Sequence, residues 1–125
     1  MTALHWIRRR PLLYLWLPVA VWMGLIFYLS AQPDLPQPHT GWAALVISSM
    51  AHAFVFGMLA LLWARALGER RHVLLLALAL TMFYALSDEF HQAFVPGRYP
   101  DLWDLVCDGL GATLGLGLWA WWRRR

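Results

Sequence analysis

The stretch YALSDEFHQAFVPGRYPDLWDLVCDGLGATLG, residues 84–115, decides how this chain folds. It leaves one long apolar run, turns through Pro96, Gly97 and Arg98, and enters a second apolar run. Five of the chain's seven acids lie in it, Asp88, Glu89, Asp101, Asp104 and Asp108, together with His91, Gln92 and a lone Arg98. Such a gathering is either a solvated loop or a polar site set among hydrophobic helices. The rest of the chain decides between the two.

The chain has 125 residues, 61% of them hydrophobic, and only 14% charged. Soluble domains carry about 25% charged residues, so this composition belongs to a membrane domain, and the length allows one. The net charge of +3 does not point to nucleic acid, because the ten basic residues, all arginines, cluster at the ends of apolar runs. Cys107 stands alone, so it forms no intramolecular disulfide and no metal motif, and it reads as a packing residue.

A bilayer-crossing helix needs about 20 mostly apolar residues. Four runs come close, at residues 11–29, 42–67, 73–94 and 102–122, and the last two qualify only if their polar residues are tolerated. The expected fold is therefore all-α: a polytopic four-transmembrane-helix bundle forming one domain over residues 1–125. Residues 30–41 hold three prolines before Gly41 and read as an irregular loop. Residues 65–72 make a basic turn and residues 95–101 a tight Pro-Gly turn.

Arginines set the orientation, because short basic loops are retained in the cytoplasm. Arg8, Arg9, Arg10, Arg65, Arg70, Arg71, Arg123, Arg124 and Arg125 all fall on one side of a four-span arrangement, leaving Arg98 alone on the other. Both termini are thus expected in the cytoplasm, and the first run is expected to stay as an anchor, being longer than a signal-peptide core. Trp119, Trp121 and Trp122 before the last arginines read as an interfacial belt.

With that orientation every intramembrane ionisable group lies in the outer half of the bilayer. His52 sits about ten residues, roughly 15 Å, down the second helix. Tyr84, Asp88, His91 and Gln92 follow i, i+4, i+7, i+8 and are expected on one face of the third; Asp104, Asp108, Gly111 and Gly115 form one stripe of the fourth. Gly111-x-x-x-Gly115 is a helix-packing pattern. Buried ionisable groups are costly in a membrane and mark function by default. Each also has a plainer reading. Asp104 fits an N-cap of the fourth helix, Asp101 a solvated loop acid, His52 a hydrogen-bonded core histidine, and Asp88 with His91 a structural bond between helix turns. His5, His39 and His72 lie in termini or loops and receive no role.

At SDEFHQAFVPGR (residues 87–98), followed by Asp104 and DGLGATLG (residues 108–115), the sequence resembles the VanZ-like family of small bacterial membrane proteins. The family pattern is an acidic pair, His-Gln, a Pro-Gly-Arg loop, an Asp, an Asn or Asp four residues on, then Gly-Ala-x-x-Gly. Asp88, Glu89, His91, Gln92, Pro96, Gly97, Arg98, Asp104, Asp108, Gly111, Ala112 and Gly115 stand at those positions. Upstream, Ser30 and Gln32 match a Ser-x-Gln element, and His52 matches a Lys-x-x-His element in which Ser49 stands where lysine is usual. With serine there, the position supplies no cation. The resemblance implies a multi-pass protein of the bacterial cytoplasmic membrane with a role in the cell envelope. The family takes its name from a protein linked to resistance to the glycopeptide teicoplanin. It implies no particular reaction.

Two readings stay open from sequence. In the first, an outward-facing site binds or modifies an anionic lipid or lipid-linked envelope intermediate. His91 is the general acid or base, since imidazole titrates nearest neutral pH, with Asp88, Glu89 and His52 as its catalytic partners. Arg98 binds the anion through its two-pronged donors, and Gln92, Asp104, Asp108 and Gln32 complete the binding set. In the second, the same cluster is a hydrogen-bond network that locks the helices or serves as a binding module. Neither reading calls for a cofactor, a metal ion or nucleic acid, and the oligomeric state is left open.

Overall fold

The computed structural model describes residues 11–33 and 41–125. The expected basic segment at Arg8–Arg10 and most of the proline-rich loop lie outside the described residues. The described residues form four helices and no strand: α1 (Pro11–Ser30), α2 (Trp42–Leu67), α3 (Val73–Gln92) and α4 (Leu102–Arg123). Three of them, α1, α2 and α3, are long and apolar enough to cross a membrane. Helix α4 is of similar length, 22 residues, but Asp104, Asp108 and four glycines dilute its apolar character.

Short connections make successive helices antiparallel. Gly68, at φ 71°, ends α2 and returns its N–H to the Ala64 carbonyl. Five residues later, at Val73, α3 begins. Between α3 and α4 the chain passes Gly97, whose φ of 80° suits a residue without a side chain. Asp101 then caps α4 by accepting a hydrogen bond from the Trp103 N–H at 2.9 Å. The N-cap is thus Asp101 and not Asp104, because Asp101 has the extended backbone (φ −132°, ψ 122°) that a capping residue adopts while Asp104 already lies in the first turn. The Asp101 N–H also donates to Glu89 Oε2 at 2.8 Å, tying the end of α3 to the start of α4.

Helix α2 is the centre of the molecule. It packs against all three other helices, most extensively against α4, whereas α1 packs against α2 and α3 only. The interior is built from small side chains, with Ala60, Ala64, Ala77, Ala85 and Ala112 fully buried. Without a hydrophobic driving force in lipid, helices hold together by such close approach. Two small pairs make the closest one: Ala53 and Gly57 on α2 against Gly111 and Gly115 on α4. A Cβ on Gly57 would stand 2.9 Å from the Gly111 carbonyl oxygen, one on Gly115 3.2 Å from the Gly57 carbonyl oxygen, and one on Gly111 would collide with the Ala53 carbonyl. Large apolar residues point outward, such as Phe83, Leu86 and Phe90 on α3 and the stripe of Leu110, Leu114 and Leu118 on α4. Phe56, Leu59, Ile26 and Leu116 are buried too, but the enclosed polar groups and the many exposed large apolar ones set the molecule apart from a soluble domain.

Candidate functional site

The ends of α1 and α3 and the starts of α2 and α4 meet at one end of the molecule, and the buried polar residues other than Thr81 collect there. Asp108 leads. It is 1% exposed, and its Oδ1 lies 2.9 Å from His52 Nδ1 across the α2–α4 interface. The other ring nitrogen of His52, Nε2, lies 3.5 Å from Asp104 Oδ2. One imidazole is therefore set between two carboxylates contributed by successive turns of α4. This geometry depends on the glycine contact, since His52 precedes Ala53 directly and Asp108 lies one turn before Gly111. Asp108 Oδ2 is buried with no hydrogen-bond partner among the described residues, and so is Glu89 Oε1.

A second group lies between α1 and α3. Gln92 Nε2 donates to Ser30 Oγ at 2.9 Å and to Asp88 Oδ2 at 3.2 Å, and all three residues are buried. Arg98, from the turn after α3, reaches back to α1, with Nε donating to the Gln32 carbonyl at 3.0 Å and Nη2 to the Leu29 carbonyl at 3.1 Å. The last carbonyls of a helix have no intrahelical partner and carry partial negative charge, so a guanidinium is well matched to them. The Gln32 side chain turns away to its own helix, donating to the Tyr28 carbonyl at 3.1 Å.

A cavity of about 220 Å³ joins the two groups. Ser30, Ser48, His52, Asp88, Gln92 and Arg98 supply its polar wall. Ile26 and Leu29 of α1 and Ile47, Val55 and Phe56 of α2 supply the apolar one. Such a mixture, mostly apolar with a few convergent polar groups, is what small-ligand sites share. Asp104 and Asp108 stand behind it, reached through His52.

Of the residues expected from sequence, His52, Asp88, Gln92 and Arg98 line the cavity, while Asp104 and Asp108 hold His52. His91 is elsewhere. Its ring stacks on Phe27 of α1, with centroids 4.4 Å apart and planes 8° from parallel, and its Nδ1 is buried without a partner among the described residues. Asp88 bonds to Gln92 and makes no hydrogen bond to His91. The face expected to carry Asp88, His91 and Gln92 together is split. From Asp88, His91 lies about 60° to one side around the helix and Gln92 about 40° to the other; only Gln92 turns into the bundle with Asp88.

Sequence reasoning did not place Ser30 or Ser48 in the site, nor Gly57 in the packing. Ala53-x-x-x-Gly57 is a small-residue pair at the same spacing as Gly111-x-x-x-Gly115, and that match was the available signal for it. Ser49, at the position where the family resemblance leads one to expect lysine, accepts a hydrogen bond from Trp103 Nε1 at 2.9 Å and so helps join α2 to α4. Among the described residues no three His, Cys, Asp or Glu side chains are placed to hold a metal ion.

These features define a multi-pass α-helical membrane protein with a polar site enclosed between its helices. Residues 15–123 match the family model described as VanZ/LLP1, nearly the whole chain, and the protein belongs to that VanZ-like family. An uncharacterised protein of Schizosaccharomyces pombe is 32% identical over 115 residues, which is 90% of this chain and 65% of that relative. This chain thus spans a little under two thirds of the length of that curated relative. No solved structure matches the chain significantly.

Proposed function

We propose that this protein handles an anionic lipid headgroup in the cell envelope, with His52 as the proton-transferring group of the site. The observation that carries this reading is the cavity, in which a guanidinium, an imidazole backed by two carboxylates, and a Ser30–Gln92–Asp88 bridge meet under an apolar wall. Arg98 has Nη1 left to meet an anion after bonding the α1 carbonyls through Nε and Nη2. Asp108 and Asp104 hold the His52 ring and balance its charge when it carries two protons. Asp88 and Gln92 orient the ligand's polar atoms. His91 and Glu89 take supporting places, His91 by stacking on Phe27 and Glu89 by anchoring Asp101.

The cavity's size narrows the ligand. A cavity of about 220 Å³ has room for a phosphate-sized group and the first carbons attached to it. On this reading a contribution to teicoplanin resistance would be indirect, through altered envelope lipids. The placement we favour is the bacterial inner membrane with four crossings, both termini cytoplasmic and the cavity toward the outer leaflet. The arginine distribution supports the orientation. The course of α4 supports its being a fourth crossing, since it follows α2 from the Ser49–Trp103 bond at one end to the Glu69–Arg123 pair at the other.

One observation favours a second reading. Arg98 and Gln92 spend hydrogen bonds on α1, so part of the cluster ties helices together whatever else it does. Lipid and muropeptide profiling of a strain lacking the gene, complemented with wild type or variants, separates the two. The expected result is a headgroup species that changes on deletion and is restored by wild type but not by His52→Gln at equal membrane abundance. Full restoration by His52→Gln, Asp88→Asn and Arg98→Gln alike would leave only the structural reading.

A further inference from the structure

The opposite end of the molecule holds a second cavity, of about 380 Å³, between the end of α2 and the end of α4. Its walls include Leu61 and Leu62 on the apolar side and Arg65, Glu69, Trp119 and Arg123 on the polar side. Two features distinguish it from a packing defect. Both arginines are held by aromatic rings: Arg65 lies over Tyr14 with its guanidinium carbon 4.3 Å from the ring centroid, and Arg123 lies over Trp119 at 4.7 Å. Arg65 Nη2 also donates to the Tyr14 carbonyl at 3.4 Å and Arg123 Nη2 pairs with Glu69, which leaves the remaining N–H groups of two face-stacked guanidinia to grip a phosphate. The surrounding charge is also one-sided. Among the described residues, Arg65, Arg70, Arg71, Arg123, Arg124 and Arg125 lie at this end against one acidic side chain, Glu69.

From this geometry we infer that the α2–α4 cavity at the arginine-rich end is a binding site for a phosphate-bearing anionic lipid, its headgroup between Arg65 and Arg123 and its chain along Leu61 and Leu62. Basic pockets between membrane helices bind anionic headgroups in this way. Glu69 is the built-in competitor. It pairs with Arg123, but its side chain is 83% exposed, and an exposed ion pair contributes little. An incoming phosphate therefore displaces the carboxylate from Arg123 at small cost. This site shares no residue with the cavity around His52 and does not rest on the function proposed for it.

The test is native mass spectrometry of the purified full chain titrated with phosphatidylglycerol or phosphatidylcholine. Phosphatidylglycerol is expected to be retained preferentially. Arg65→Gln with Arg123→Gln should reduce that preference by about thirtyfold, and either change alone by about fivefold, taking about 1 kcal/mol per basic side chain near a membrane surface. Glu69→Gln should increase it, and because Glu69 is exposed this variant folds even where the arginine variants do not. A control in inorganic phosphate separates a lipid site from a simple anion site: loss of phosphatidylglycerol at millimolar phosphate would show that the headgroup alone is recognised and would overturn the lipid assignment. Equal retention of both lipids, or a preference unmoved by Glu69→Gln and by the double arginine change, would overturn the site altogether. A preference that depends on Arg98 instead would place the lipid at the other end and overturn it too.

Discussion

His52 Nδ1 and Asp108 Oδ1 stand 2.9 Å apart although 56 residues separate them in the chain. Asp108 is almost fully enclosed, and removing one member of such a pair leaves the other without its partner. Asp108→Ala is expected to destabilise the protein by about 3 kcal/mol, the lower end for a broken buried pair, because Asp104 remains within reach of the ring. Replacing both residues by leucine should recover much of that stability while leaving the protein inactive. Thermal unfolding in detergent beside complementation reads the two effects separately. Recovery of both stability and function by the double leucine variant would show that the pair is only a structural link.

Close contact of two backbones gives the next expectation. A methyl group on Gly111 has no room against the Ala53 carbonyl, so Gly111→Ala must push α4 away from α2 and with it Asp108 from His52. Overpacking of this kind costs about 1–3 kcal/mol. At Gly117 nothing lies within 4 Å of an added Cβ, and Gly117→Ala should be neutral or slightly stabilising. The comparison of the two melting temperatures checks the interface directly.

The cap of α4 provides a third. Asp101→Ala removes the acceptor for the Trp103 N–H, and caps of this type are worth about 0.5–2 kcal/mol. Asp101→Ser should keep most of that, whereas Asp104→Ala should leave the cap intact and act on His52 instead. Hydrogen exchange of the Trp103 and Asp104 amides distinguishes the two positions, rising in Asp101→Ala and staying low in Asp104→Ala.

Orientation is open to direct measurement. In a Cys107→Ala background, cysteines placed at Pro96 and at Arg71 fall in exposed connections at opposite ends of the helices. A membrane-impermeant maleimide added to intact cells is expected to label position 96 and not position 71. Labelling in the opposite sense would turn the cavity toward the cytoplasm.

Much of this arrangement is legible in the sequence. The helices run close to the apolar runs, with α3 ending at Gln92 rather than Phe94, and Asp88, Gln92, Arg98 and His52 all line one cavity as intramembrane polar residues must. The histidines were harder to rank. Spacing along α3 placed His91 near Asp88, but adjacent helical positions diverge by about 100°, so a residue next to Gln92 cannot share its direction. Nor could the sequence reveal that Asp108 would meet His52, since periodicity describes one helix at a time and says nothing of the register between two. That register comes from matching Ala53 and Gly57 to Gly111 and Gly115. The exchange of capping roles between Asp101 and Asp104 has a similar origin, because both are acids near the start of α4 and only the backbone angles separate them.

The crossing of α2 and α4 at these small residues lies much nearer one polar end of the molecule than the other. Arg123 lies 12 residues beyond Gly111, about 18 Å along the helix, whereas Asp108 lies only three residues, about 4.5 Å, before it. A given change in the crossing angle would therefore displace the arginine-rich end about four times as far as it displaces Asp108. The glycine contact thus protects the distance between His52 and Asp108 far better than it protects the spacing of the helices at Arg123.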